Sequence, residues 1–331
     1  MRVSKSVRTA NLCVEEMLAV REGEAVVVVA DDAGFTENRE VIEAIIGLSR
    51  HRGAGTDLIV MRDTEPEEGN VLTPVVQRSM READVIVGCT FTTWAGAYYH
   101  ETPMELVDTG SARVLGLVKR SWEALTGPHI LEVDFEENLQ VAKAVARRLD
   151  AGTELSMKTG TDSELVVDIT DQPGTHEDFA HEPGDVGVLS GIGEAEIGPV
   201  VGSAEGTATI DGPVGLPGSP WPSPPLELEI RGGVVQNVTG DEKVASELAA
   251  IFDAILDADN VAEIGIGINP RAALHEFQVW KKRRGTAHIG VGDGVYYGQD
   301  VTSRSHIDFV MNEPTVSVDG ERILSGGELL V

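Results

Sequence analysis

The stretch Ala25-Val26-Val27-Val28-Val29-Ala30, with the apolar residues at helical spacing that follow from Glu40 to Arg50, decides the fold. An unbroken β-branched run without polar alternation predicts a buried strand, and the periodic segment after it predicts a helix. The alternation returns as Asp57 to Met61, a helix around Val75 to Glu82, the strand Ala83-Asp84-Val85-Ile86-Val87-Gly88, and Ala112 to Val118 before a helix near Glu136 to Leu149. Residues 1–150 therefore read as an α/β layered domain with a parallel sheet.

Beyond Asp150 the texture changes. Ala151-Gly152-Thr153 ends the helix and short strands such as Glu164 to Ile169 follow, so 151–331 reads as a β-rich α+β domain. Between Pro213 and Pro225, six prolines in thirteen residues exclude regular structure and predict an ordered loop carrying Trp221, either a pocket border or a plain connection. A strand from Glu227 to Ile230, a Gly232-Gly233 turn, a second strand and a helix from Glu242 to Leu256 complete this stretch, with no internal repeat.

The 331 residues are 41% hydrophobic, enough for two cores. With 26 basic residues against 55 acidic ones the formal charge is -29, which repels nucleic acid and anionic membranes. Lysine is scarce while Asp and Glu are spread over the whole length, as on a surface adapted to concentrated salt. Cys13 and Cys89 provide neither a disulfide framework nor a thiolate zinc motif, and fit a reducing compartment. Met1 to Ala19 mixes charges throughout and no run approaches about 18 apolar residues, so neither a signal peptide nor a membrane span is expected and a cytoplasmic location is.

Four segments put charged or imidazole groups in apolar surroundings: Gly193-Glu194-Ala195-Glu196, Ala262-Glu263-Ile264-Gly265-Ile266-Gly267, Thr286-Ala287-His288-Ile289-Gly290-Val291-Gly292, and Ser305-His306-Ile307-Asp308-Phe309. Buried and unpaired, such groups would each cost several kcal/mol, so they need partners or a cation. His306 and Asp308, two apart on a strand, point to one face, and His288 follows the same logic. Imidazole nitrogen and carboxylate oxygen without thiolate suit zinc, cobalt, manganese or iron(II). His-x-Asp alone is equally a hydrogen-bonded strand pair; the set of four segments favours the metal. Ser303 and Ser305 beside His306 and Asp308 do not form a hydrolytic triad, since neighbours in one strand diverge. Nucleotide binding is disfavoured, because no Gly-x-Gly-x-x-Gly turn or Walker lysine occurs and Asp31 and Asp32 stand where phosphate would sit. Of the other histidines, His275 is placed near the site, whereas His51, His100, His129, His176 and His181 read as surface groups.

In order and approximate spacing these segments resemble the thermophilic aminopeptidases, the aminopeptidase T and aminopeptidase S type of metallopeptidase, with their Gly-Glu turn, later Glu, His before a glycine-rich stretch, and His-x-Asp strand. Gly191 to Gly212, with Pro199 and Ala204-Glu205-Gly206-Thr207, looks like the family's segment after the Gly-Glu turn and favours Glu194 over Glu196. The resemblance implies Glu194, Glu263, His288, His306 and Asp308 as ligands of two divalent ions, zinc, cobalt or manganese. It implies a metal-activated water that removes amino-terminal residues from peptides, peptide or small amide substrates, and a homodimer. Tyr296 or Tyr297 would then donate to the oxyanion, with core packing as the other reading. Those peptidases carry an acidic residue just before the metal histidine, where this chain has Lys281, Lys282, Arg283 and Arg284, which leaves Glu276 or a metal-bound hydroxide as the base. The chain is shorter than those peptidases and is also similar to a branch of the same fold, that of 2,5-dihydroxypyridine 5,6-dioxygenase, which uses one iron(II) for ring cleavage. In that alternative His288, His306 and Asp308 form the facial triad and Glu194 and Glu263 lie outside it.

Overall fold

The computed structural model describes residues 2–65, 71–93, 100–160 and 162–331. Its valine run is the strand Ala25–Asp31, in which six of seven residues are buried. That burial on both faces is the condition for a parallel sheet, because helices must cover each side. The sheet runs in the order Gly55–Met61, Ala25–Asp31, Val85–Cys89, Arg113–Gly116, Val186–Val188, with every pair parallel. Val27, Val29, Ile86 and Val114 from its strands pack with Val76 and Met80 of the helix Pro74–Arg81. Asp31 ends its strand and caps the helix Asp32–His51, its carboxylate accepting from the Gly34 amide at 2.7 Å.

Contacts divide the chain into two compact units, one of Met1–Val133 with Glu177–Gly191 and one of Asp134–His176 with Ile192–Val331. The helix Phe135–Asp150, which follows the strand–helix alternation in the chain, packs within the second unit against the strands Glu194–Ile197 and Thr175–His176. Its buried stripe is Phe135, Leu139, Ala142, Val145, Ala146 and Leu149.

Two antiparallel sheets make up the rest of the second unit. One has eight strands, in the order Val234–Thr239, Leu226–Arg231, Glu205–Ile210, Ser163–Asp168, Glu154–Thr159, Thr315–Val318, Glu321–Ser325, Glu328–Leu329. The other has five, in the order His306–Met311, Ala287–Gly292, Val261–Gly267, Glu194–Ile197, Thr175–His176. The proline-rich segment is ordered, as expected, and lies along the free edge of this second sheet. Gly212 and Gly215 donate to the carbonyls of Val310 and Asp308 at 2.9 Å each, and Trp221 stacks on His275 with ring centroids 5.0 Å apart. Covering an edge in this way satisfies strand groups that would otherwise be open to pairing. Among the described residues no helix is long and apolar enough to cross a membrane.

Candidate metal centre

All four segments singled out in the sequence are strands of the five-stranded sheet, and the register fixes which side chains meet. Glu263 lies opposite Gly290, which lies opposite Asp308; Gly265 lies opposite His288 and Glu196; Gly267 pairs with Glu194 and Gly292 with His306. Directly opposed residues present their side chains to one face. That face therefore carries Glu194, Glu196, Glu263, His288, His306 and Asp308 among glycines, while the alternate residues Ala195, Ile197, Ile264, Ile266, Ile289, Val291, Ile307 and Phe309 form a buried apolar face behind it.

The glycines let the polar side chains lie across the sheet. A Cβ on Gly290 would stand 2.6 Å from a Glu263 oxygen and 2.8 Å from His306 Nε2, and one on Gly265 would overlap the His288 ring. Glu263 occupies the centre: Oε1 is 3.0 Å from His288 Nε2 and Oε2 is 3.1 Å from His306 Nε2. Asp308 Oδ1 is 3.0 Å from His306 Nε2. Two groups result, Glu194–Glu263–His288 and Glu263–His306–Asp308, in each of which the donor atoms lie within 4.8 Å of one another.

His306 Nδ1 lies 2.9 Å from the Asp293 carbonyl, which can only accept, so Nδ1 donates and Nε2 faces the two carboxylates. Its lone pair can face them only with a proton or a metal ion in between. Burial would lower the pKa of His306, but its contacts with Asp308 and Glu263 raise it to about 10. Asp308 Oδ1, on the His306 side, and Glu194 Oε2 are each buried without a hydrogen bond. Nitrogen and carboxylate donors converging around unsatisfied oxygens fit a borderline divalent cation.

Two ammonium groups complete the face, and sequence reasoning missed them. Lys281 Nζ donates to Asp308 Oδ2 at 2.7 Å and stands 3.7 Å from Glu194 Oε2, and Lys282 Nζ pairs directly with Glu194 Oε1. Both lysines are buried. Burial opposes charge on Lys281, yet Asp308 and Glu194 hold its pKa well above the ordinary value. Burial alone would likewise push Glu194 and Glu263 up; Lys281 and Lys282 bring Glu194 below the ordinary carboxylate range, and His288 with Lys281 brings Glu263 well below it. Asp308 is lowered chiefly by Lys281, against its burial and the nearby Glu263. Burial, with Glu194 and Glu263 nearby, raises Glu196 well above that range, so it stays neutral. The run Lys281–Arg284 had read only as a missing acidic residue. Its signal was position, directly after Phe277-Gln278-Val279-Trp280, in which three of four residues are apolar. Arg283 turns onto the Trp280 ring at 4.7 Å and Arg284 donates to the Ile268 carbonyl at 2.8 Å.

The expected metal residues Glu194, Glu263, His288, His306 and Asp308 thus come together on one face. Tyr297, not Tyr296, stacks on His306, with centroids 5.4 Å apart; Tyr296 is 37% exposed and packs edge-on to Tyr297. Glu276 precedes the short helix Phe277–Trp280, whose Trp280 amide bonds its carbonyl at 2.8 Å. Among the histidines read as surface groups, His129 is buried.

A fold of one parallel and two antiparallel sheets, with imidazoles and carboxylates gathered over glycines, defines a candidate metal-centre protein. Residues 10–331 match the sequence model of NicX, 2,5-dihydroxypyridine 5,6-dioxygenase, and the chain belongs to that family. Among solved structures it is similar to the 2,5-dihydroxypyridine dioxygenase of Pseudomonas putida KT2440, with TM-score 0.84 and 17% identity over 100% of this chain and 98% of that one. It is less similar to AmpT from Thermus thermophilus, with TM-score 0.64 and 16% identity over 99% of each chain. No curated protein sequence matches.

These findings overturn the aminopeptidase expectation. The family match over nearly the whole chain points to a ring-cleaving oxidoreductase, not a hydrolase or protease, and the AmpT likeness is the weaker of the two. A physical reason accompanies the correction: two of the four basic residues that depart from the peptidase pattern, Lys281 and Lys282, lie inside the donor cluster, where Lys282 holds Glu194. The roles given to Tyr296 and Glu276 in amide hydrolysis lapse with it.

Proposed function

We propose that this chain is a mononuclear iron(II) dioxygenase that cleaves a hydroxylated aromatic ring of the dihydroxypyridine class, the compound class in the names of its family and its structural relative. The observation that carries the single ion is the pair of buried ammonium groups. Three ionised carboxylates, Glu194, Glu263 and Asp308, face Lys281 and Lys282, which leaves one net negative charge for a cation to answer when it takes the place of the proton on His306. One dication leaves a single positive charge, whereas two would leave a strong excess in a low-dielectric site.

Glu263, His306 and Asp308 would hold the ion, with His288 against the second oxygen of Glu263. Iron(II) there supplies the one-electron chemistry that lets dioxygen react with an electron-rich ring. The Asp293 carbonyl keeps the His306 lone pair on Nε2, and Tyr297 against the ring holds its orientation. Lys281 keeps Asp308 ionised. The His306 side chain, 16% exposed against 7% or less for the other four donors, marks the side from which a ring can approach. The residual positive charge favours a substrate whose ring hydroxyl is ionised.

The test is anaerobic loading with iron(II), then addition of 2,5-dihydroxypyridine with an oxygen electrode and ring absorbance read together. Loss of ring absorbance with one oxygen molecule consumed per ring is expected, and Asp308→Asn is expected to lose at least about 100-fold in rate. An iron-loaded protein that leaves hydroxylated pyridines intact and takes up no oxygen would refute the reading.

A further inference from the structure

Resting on the reading of this face as a metal centre, we infer that the ammonium of Lys282 stands in for a second metal ion, so that the chain carries as a side chain the cation a two-metal site would bind. Glu194–Glu263–His288 and Glu263–His306–Asp308 share Glu263, and each has a metal's donor set in compact form. Two such groups joined by one carboxylate are the layout of a two-metal centre, with ions about 3.5–4 Å apart. In this chain the Glu194 group already holds a cation. Lys282 Nζ pairs directly with Glu194 Oε1, both side chains 5% exposed, and Lys281 Nζ adds its charge 3.7 Å from the other oxygen.

The backbone is shaped for that intrusion. A Cβ on Gly193 would lie 2.8 Å from Lys282 Cβ, so the residue before Glu194 has to be glycine for the lysine stem to pass. The Lys282 carbonyl accepts from the Asn269 amide at 2.9 Å, just past the end of the Glu263 strand, and Thr286 Oγ1 donates to the Lys281 carbonyl at 3.1 Å. These bonds anchor the main chain of both lysines beside the ends of the site strands, and the ion pairs with Asp308 and Glu194 hold their side chains inward. A dication and the Lys282 ammonium at Glu194 are alternatives, since the ammonium already occupies Oε1, whereas Lys281 takes only Oδ2 of Asp308 and leaves Oδ1 on the His306 side.

Manganese(II) is the probe, because it accepts oxygen and nitrogen donors, is stable in air, and its electron paramagnetic resonance separates an isolated ion from a coupled pair. Native protein should bind one ion per chain with an uncoupled spectrum. Lys282→Met should bind two, with exchange coupling, and the double variant Glu194→Gln/Lys282→Met should return to one. Two ions in the native protein, or one in Lys282→Met, overturns the inference and leaves the metal centre standing; no ion in the native protein overturns both. Lys282→Met takes from buried Glu194 its directly paired cation and leaves only Lys281, 3.7 Å away, so the metal-free variant should melt lower than native and manganese should restore it. A variant that manganese does not rescue also overturns the inference.

Discussion

At Gly290 a missing side chain makes room for Glu263 Oε2 and His306 Nε2 to meet over the strand backbone. Gly290→Ala should displace one of them by several tenths of an ångström, while the apolar back of the sheet, Ile289 and Val291, keeps the strand in place. Metal affinity should fall about 10–100-fold, the range for losses in groups that orient ligands, with the melting temperature of the metal-free protein changed far less. A manganese titration beside a thermal melt checks this, and unchanged affinity would mean that the donors do not lie across Gly290. This part of the site was legible in sequence: Glu263, Gly265 and Gly267, like His288, Gly290 and Gly292, alternate with apolar residues at the period of a strand. Lys281 and Lys282 were not legible, because a basic run normally reads as a solvated face. What turns these two inward is their pairing with Asp308 and Glu194, on other strands.

Elements were legible wherever their period was strong and their neighbours local. The valine strand and its parallel partners fall in this group, since burial on both faces leaves an unalternated apolar run. The helix Phe135–Asp150 was legible as a helix but not in its partner: an apolar stripe says that a face packs, not onto which sheet. The short helix Pro128–Leu131 shows the same limit at one side chain. His129 follows Gly127-Pro128, a pattern that reads as an exposed turn, yet it is 2% exposed and its Nε2 donates to the Ala124 carbonyl at 2.7 Å. Burial, reinforced by Arg120 and opposed by that hydrogen bond, lowers its pKa to about 4. In the unfolded chain the group titrates near 6.5. Between these values the unfolded chain takes up a proton that the folded chain does not, so stability is lost as pH falls from about 6.5 to 4 and is unaffected by this group above that window. The loss is on the order of 3 kcal/mol. Carboxylates titrate over the same range, so the difference between native and His129→Gln unfolding free energies is the measurement. That difference should shift by this amount between pH 7 and 4, and a constant difference would mean that His129 is already solvated.

For the molecule as a whole the dominant fact is a formal charge of -29, of which the donor cluster accounts for little because Lys281 and Lys282 offset two of its carboxylates. The rest is dispersed along a chain with only 26 basic residues to answer it. Folding brings these like charges closer together than in the expanded chain, so self-repulsion opposes the compact state. Salt screens it: the Debye length falls from about 10 Å at 0.1 M to about 3 Å at 1 M. The midpoint of thermal unfolding should therefore rise with potassium chloride, most steeply below about 1 M, where screening is still growing. A matched series in sucrose separates this from solvent exclusion, because sucrose also favours burial but leaves charges unscreened. The negative field also draws dications toward the protein, so manganese affinity should fall over the same salt range in which stability rises. Stability and metal affinity moving in opposite directions is the signature of a global field. If both rise, specific potassium sites are stabilising the fold; if stability is flat in salt, the carboxylates are far enough apart that their repulsion is already screened.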